Sequence, residues 1–130
     1  MKVLLDTQVA IWALNDLRRL APHVKQIIAD ERNDIYVSVV SVWEIAIKFA
    51  LAKRRGAPPF SGAAALGFFV AAGYRLLDVK PEHAVAVESL PLLHADPFDR
   101  MLIAQALCEP LRLVTADAAM AAYSDAIIAI

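Results

Sequence analysis

The 130-residue sequence has one cysteine, four glycines and no long, uninterrupted apolar run. The single thiol, Cys108, excludes an internal disulfide, and its apolar helical surroundings predict a buried, unreactive side chain. The longest uncharged run, residues 57–74, is broken by prolines and glycines and falls short of the roughly 18 predominantly apolar residues of a membrane-spanning helix. The amino terminus lacks the apolar core of a secretory signal. We therefore expect a cytoplasmic protein without a membrane segment.

Neither sign of charge predominates in the sequence. Thirteen basic and 14 acidic residues give a net charge of −1, so no global field attracts nucleic acid, and any such site must be local. In contrast, 59% of the residues are hydrophobic and the mean hydropathy is +0.52. This composition predicts more apolar surface than one small core can bury, and hence a partner chain. The candidate interface residues are Trp12, Trp43, Phe49, Phe68 and Phe69.

Short apolar segments alternate with helical patterns along the whole chain. The pattern predicts strands at residues 2–5, 35–40, 75–79, 111–115 and 126–130. It predicts helices at residues 8–14, 22–30, 41–55, 61–73, 81–90, 96–108 and 117–123. This alternation indicates a single α/β domain, residues 1–130, built on a mainly parallel sheet whose short strands are covered on both faces.

Acidic residues stand at three of the predicted strand-to-helix junctions. Asp6 follows the first strand, Glu44 the second and Asp117 the strand at 111–115, while Asp99 lies in the first turn of its own helix. Ligands of open α/β sheets bind at the carboxyl ends of the strands, so these side chains are expected to converge. At about 4 Å, two carboxylates repel by up to roughly 4 kcal/mol at an effective dielectric of about 20, and a divalent cation would remove this cost. Oxygen ligands without histidine or cysteine favour Mg²⁺ or Mn²⁺.

Each acid alone also has a local interpretation. Asp6 and Asp117 are suited to be helix N-caps, and Asp96 before Pro97 predicts another N-cap. The spacing of Ser41 and Glu44 is that of a capping box, which predicts that the third helix begins at Ser41. Taken one at a time, the acids therefore do not establish a metal site.

Four motifs occur in a specific order and span nearly the whole chain. They are Leu4-Leu5-Asp6-Thr7, the segment Ser38 to Lys48 containing Ser41-Val42-Trp43-Glu44, His94-Ala95-Asp96-Pro97-Phe98-Asp99-Arg100, and Leu113-Val114-Thr115-Ala116-Asp117. In this combination the sequence resembles PIN-domain proteins, specifically the VapC-type toxins of type II toxin–antitoxin systems.

The resemblance implies a PIN-like α/β/α sandwich and a metal-dependent endoribonuclease that uses Mg²⁺ or Mn²⁺. It also implies a homodimer that is held inactive by a cognate antitoxin protein. Carried over by position, the acidic quartet of catalytic and metal-binding residues is Asp6, Glu44, Asp99 and Asp117, with Asp6 and Asp99 as direct ligands. Further candidates for positioning the acids or the RNA substrate are Thr7, Ser41, Lys48, Asp96, Arg100 and Thr115.

Several basic residues near the motifs have two interpretations each. Lys48 can pair with Glu44 one helical turn away or meet a substrate phosphate. The run Lys53-Arg54-Arg55 can track an RNA backbone or simply complement a helix carboxyl end. Arg100 can point towards or away from the acids, and His94 is expected to be a loop residue bonded to the backbone rather than a general base.

Two other functions share part of this pattern. A magnesium-dependent phosphoryl-transfer domain also places aspartates at strand ends, but it would need Asp-x-Asp or paired acids after the first strand, and Asp6-Thr7-Gln8 supplies neither. The second alternative is a catalytically inactive PIN fold that acts as a binding module. The complete acidic quartet argues against it.

Overall fold

The computed structural model describes residues 1–51 and 56–130 and has a central parallel sheet. The strand order is β3-β2-β1-β4-β5, and each of the four neighbouring pairs is parallel. The strands are β1 (Lys2–Leu5), β2 (Asp34–Ser38), β3 (Arg75–Leu77), β4 (Arg112–Thr115) and β5 (Ile128–Ala129). The predicted α/β class with a mainly parallel sheet is therefore confirmed.

Helices connect the strands. They are α1 (Thr7–Asn15), α2 (Pro22–Ala29), α3 (Val39–Ala50), α4 (Gly62–Ala71), α5 (Pro81–Ala86), α6 (Pro97–Cys108) and α7 (Ala118–Ala121), with 3₁₀ turns at Leu17–Arg19 and Val87–Ser89. In the described part of the chain, no helix is long and apolar enough to cross a membrane.

The sheet is covered on both faces. Along β1, Val3 and Leu5 belong to one core cluster together with Val9 and Phe69, whereas Leu4 belongs to a second cluster with Leu102. Successive side chains of a strand point to opposite faces, so the two clusters lie on the two sides of the sheet. This is the three-layer α/β/α arrangement, and it places β1 at the centre of the molecule.

The boundary between β2 and α3 differs from the prediction. The strand ends at Ser38 and the helix begins at Val39, with the Ser38 hydroxyl accepting from the N–H of Val40 at 3.0 Å. Ser41 is therefore not the cap, and the predicted capping box with Glu44 is wrong. The β-branched pair Val39 and Val40 favours extended backbone locally, but the cap at Ser38 and the packing of Val40 in the core override that preference.

Two predictions about side-chain exposure need correction: Phe69 was expected at an interface and Cys108 was expected to be buried. Phe69 is fully buried in the core and is not available for an interface, while Phe68 is 47% exposed. Cys108 is exposed because the last turn of α6 carries it past the buried stretch Leu102–Ala106. Trp43 and Phe49 are exposed as expected, and Trp12 is partly buried.

Candidate active site

All four predicted acids line one cleft at the carboxyl ends of β1 and β4. Asp6, Glu44, Asp99 and Asp117 lie on its wall, and Lys48 and Asp96 share the same cleft. Each acid comes from a different segment: the β1–α1 junction, the second turn of α3, the first turn of α6 and the β4–α7 junction. The convergence predicted from strand ends is therefore seen in the fold.

Asp6 is both a helix cap and a member of the cluster. One carboxylate oxygen accepts from the N–H of Val9 at 2.8 Å, and the other accepts from the Thr115 hydroxyl. Burial raises the pKa of Asp6 to about 6, and these hydrogen bonds only partly oppose it. No lysine or arginine of the described residues pairs with this carboxylate. Asp6 is therefore a buried acid that lacks a compensating cation.

Glu44 is held by a short hydrogen-bond chain and an ion pair. The Thr7 hydroxyl lies 2.7 Å from Glu44 Oε1 and 2.8 Å from Ser41 Oγ. A carboxylate can only accept, so Thr7 donates to Glu44 and accepts from Ser41. Lys48 Nζ donates to the other oxygen of Glu44, and this bond raises the pKa of Lys48. The ion-pair interpretation of Lys48 is thus confirmed, and Ser41 supports the acid through Thr7.

Asp99 lies among like charges in the first turn of α6. Asp96 caps that helix and accepts from the N–H groups of Phe98 and Asp99 at 2.8 and 3.4 Å. Burial, followed by the charges of Asp96, Glu44 and Asp6, raises the pKa of Asp99 to about 7. Among the described residues, its one cationic or potentially cationic contact is with His94, at 3.1 Å. Asp99 is thus the second under-compensated acid.

Asp117 contrasts with Asp6 and Asp99. Its Oδ1 accepts from the N–H of Ala119 at 2.8 Å, and its Oδ2 lies 2.7 Å from His94 Nε2. The hydrogen bond with His94 lowers the pKa of Asp117. The N–H of Asp117 in turn donates to the Thr115 hydroxyl at 3.0 Å. Thr115 therefore links two acids, since it accepts from one and donates to the other.

The family model for the PIN domain matches residues 3–126. The chain belongs to the PIN-domain family. Three solved structures show the same fold. The chain has a TM-score of 0.69 and 16% identity to a chain of VapBC2 from Rickettsia felis bound to a DNA fragment from their promoter, covering 100% of this chain and 98% of that one. DNA-bound VapBC from Salmonella typhimurium gives a TM-score of 0.66 and 17% identity, covering 100% of this chain and 97% of that one.

FitAcB from Neisseria gonorrhoeae gives a TM-score of 0.60 and 20% identity, covering 100% of this chain and 97% of that one. No curated protein matches the sequence. At these identities the solved structures establish the fold and leave the chemistry to be argued from the residues of the cleft.

Arg100, a basic candidate of this PIN domain, is turned towards a neighbouring loop. The Arg100 guanidinium donates to the carbonyl oxygens of Val87, Leu90, Pro91 and His94 and to the Tyr123 hydroxyl, so it orients a loop rather than a substrate. The sequence left open whether Arg100 points towards or away from the acids, and in the structure its guanidinium holds the loop that carries His94. The run Lys53-Arg54-Arg55 lies outside the described residues.

His94 contacts two of the cleft acids, Asp99 and Asp117, which the sequence analysis did not anticipate. The expected backbone hydrogen bond is present, because the N–H of Asp96 donates to Nδ1 at 3.1 Å. The opposite side of the ring reaches the acids, and the hydrogen bond with Asp117 raises the pKa of His94. A detectable signal was its position two residues before the helix cap Asp96, close to Asp99 in the sequence.

The donors in the PIN-domain cleft fit a divalent cation. Asp6 and Asp99 both have raised pKa values, which means that holding both as carboxylates is unfavourable without a further positive charge. Hard carboxylate oxygens are the ligands that Mg²⁺ and Mn²⁺ prefer. Glu44 is paired with Lys48, and the hydrogen bond with His94 lowers the pKa of Asp117, so the charge deficit is centred on Asp6 and Asp99.

Proposed function

We propose that this PIN domain is a metal-dependent endoribonuclease and the toxin of a type II toxin–antitoxin pair, with residues 1–130 acting as one domain. The observation that carries the proposal is the pair of under-compensated acids, Asp6 and Asp99, in a cleft that also contains Glu44 and Asp117. Such a charge deficit suits a site that acquires cations. Cation-dependent phosphodiester hydrolysis fits these residues, and RNA is the substrate that the resemblance to VapC-type toxins implies.

In this proposal Asp6 and Asp99 hold Mg²⁺ or Mn²⁺ directly, and Glu44 and Asp117 complete the acidic site. When bound, the ion supplies electrostatic stabilisation of the phosphodiester and activation of the attacking water. Thr115 orients Asp6 by donating to it, and Thr7 orients Glu44 in the same way. Because Lys48 forms an ion pair with Glu44, its main role is to hold that carboxylate in place.

A protein partner is part of the same proposal. Solved structures with the same fold include a toxin–antitoxin complex from Klebsiella pneumoniae, at 16% identity and a TM-score of 0.60, covering 97% of this chain and 95% of that one. The chain exposes large apolar side chains, among them Trp43 at 59% and Leu92 at 90%. We infer that a cognate antitoxin and a second copy of the toxin cover part of this surface in the cytoplasm. Co-expression with the adjacent small open reading frame should yield a complex without nuclease activity.

The nuclease is tested with Asp99→Asn, which removes a ligand charge at nearly constant shape. We expect a folded variant whose single-turnover cleavage of RNA with Mg²⁺ is slower by at least about 100-fold, or roughly 2.7 kcal/mol of barrier. The matched control is Asp30→Asn, which removes a partly exposed aspartate paired with Arg32, far from the described cleft lining, and should cleave normally.

A folded Asp99→Asn variant that retains more than about a tenth of the wild-type rate would contradict the metal-ligand assignment. A wild-type protein that binds RNA but cleaves none with either ion would instead be a binding module. Sequencing of RNA 5′ ends after brief induction without antitoxin would identify the target of an active enzyme.

A further inference from the structure

The loop that carries His94 is fixed at several points. The His94 N–H donates to the Tyr123 hydroxyl at 2.9 Å, and the His94 carbonyl accepts from Arg100 at 3.3 Å. Tyr123 donates in turn to the carbonyl of Pro91 at 2.7 Å. These contacts hold the backbone of His94 from two elements, α6 and the segment after α7. The direction of the imidazole towards the cleft is therefore set by the surrounding structure.

The hydrogen bonds of the ring identify its donor nitrogen. Because the N–H of Asp96 points at Nδ1 from 3.1 Å, Nδ1 must offer its lone pair. When the ring carries one proton, that proton therefore lies on Nε2, which is 2.7 Å from Asp117 Oδ2 and 3.1 Å from Asp99 Oδ2. Ligation of a metal through Nε2 would require the proton on Nδ1, facing another donor. The ring is arranged to donate to carboxylates and not to bind the ion.

His83 shows the same arrangement away from the acids. The N–H of Lys80 donates to His83 Nδ1 at 3.0 Å, and His83 Nε2 lies 2.8 Å from Glu109. This fully buried histidine holds a single carboxylate that is also paired with Lys80. His94 differs in what it holds, since both of its carboxylate partners belong to the cleft.

We propose that His94 is a positioning residue that donates from Nε2 to Asp117 and Asp99, sets the direction of their carboxylates and does not itself ligate the metal. The inference rests on the proposed metal-dependent function. It adds to that function an N–H donor between two acids of the quartet, held by Arg100 and Tyr123.

Two substitutions separate positioning from mere packing. His94→Gln keeps an N–H donor near the Nε2 position, whereas His94→Phe keeps a ring and removes the donor. Loss of a residue that orients metal ligands typically costs about 10–100-fold in metal affinity, so we expect this loss in Mg²⁺ affinity for His94→Phe by calorimetry. His94→Gln should stay within about threefold of wild type, because the donor is retained. His23→Phe, at an exposed histidine bonded to Ala129, is the matched control and should bind Mg²⁺ normally.

Nitrogen NMR of the imidazoles and pulsed electron paramagnetic resonance with Mn²⁺ test the donor assignment directly. We expect protonated Nε2 and unprotonated Nδ1 for both His94 and His83, with and without Mg²⁺, and no direct imidazole nitrogen coupling to Mn²⁺. A proton on Nδ1 of His94 in the loaded protein, or such a coupling, would overturn the proposal. Unchanged affinity in His94→Phe, or equal losses in both His94 variants, would overturn it too.

These measurements use no RNA. If the wild type binds Mg²⁺ with the expected pattern but cleaves no RNA, the nuclease proposal fails and the role of His94 stands. If RNA is cleaved but the two His94 variants bind Mg²⁺ alike, the role of His94 fails alone. A wild type that binds neither Mg²⁺ nor Mn²⁺ overturns both.

Discussion

Replacing Asp99 with asparagine should stabilise the metal-free protein, and the gain should depend on pH. The folded pKa of Asp99 is about 7 against an ordinary 3.8, because burial and three neighbouring acids disfavour its charge. A pKa difference of about 3 corresponds to ~4 kcal/mol at about 1.4 kcal/mol per pH unit. The side chain is 18% exposed, and screening by water reduces this figure to about 2 kcal/mol.

The sign of the pH dependence follows from proton linkage. Between the unfolded pKa and the folded pKa, the native Asp99 keeps a proton that the unfolded chain has released, so wild-type stability falls as pH rises through this window. Asparagine cannot lose that proton. The advantage of Asp99→Asn should therefore be near zero at about pH 4 and reach its maximum above about pH 7.

Urea denaturation with a chelator present, at several pH values, measures this advantage. Asp30→Asn is the control: hydrogen bonds from Arg32 lower the pKa of Asp30 to about 2, so its effect should not change between about pH 5 and pH 8. Mg²⁺ at about 100 times its dissociation constant should stabilise wild type by roughly 2.7 kcal/mol and Asp99→Asn distinctly less. If Asp99→Asn is less stable than wild type near pH 8 without metal, the argument from repulsion is refuted.

Two further predictions concern packing and the second acid. Gly62→Ala would place a Cβ 2.7 Å from that of Ala46, so it should lower the free energy of unfolding by about 1–3 kcal/mol. In the same helix, the Cβ of Gly67→Ala would meet nothing within 4 Å, so this variant should raise the free energy of unfolding by roughly 0.5–1 kcal/mol. Thermal or urea unfolding measures both effects. Thr115→Val removes a donor from Asp6, so we expect a further rise in the pKa of Asp6, visible by carboxyl NMR, and weaker Mg²⁺ binding by about 10-fold or more. An unchanged pKa of Asp6 would contradict the second prediction.

The parts of the fold that were predictable have local causes. The apolar run at residues 2–5 ends at Asp6, and Asp96-Pro97 gives an unambiguous start for α6, so both elements were placed correctly. The convergence of the acids followed from the rule that parallel strands share one carboxyl edge. Their local interpretation as caps was also correct for Asp6, Asp96 and Asp117. Capping and clustering are thus properties of the same side chains.

The sequence-based predictions failed where tertiary contacts determine the local structure. The α4 segment is apolar on every side, so its sequence does not reveal that Phe69 enters the core while Phe68 faces out. His94 acquires its direction from Arg100 and Tyr123, and no spacing rule connects these residues. The start of α3 was misplaced because strand propensity at Val39 and the cap at Ser38 conflict, and only packing resolves the conflict.

The position of β1 between β2 and β4 has a consequence for the synthesis of the protein. The hydrogen bond from Thr115 to Asp6 joins residues 109 positions apart, and β4 can add to the sheet only after its whole length has left the ribosome. Contacts at such separations carry a loop-closure cost that slows folding. A growing chain therefore carries Asp6 and Glu44 long before Asp99 and Asp117 can join them. The cleft can therefore hold all four acids only once β4 has joined the sheet.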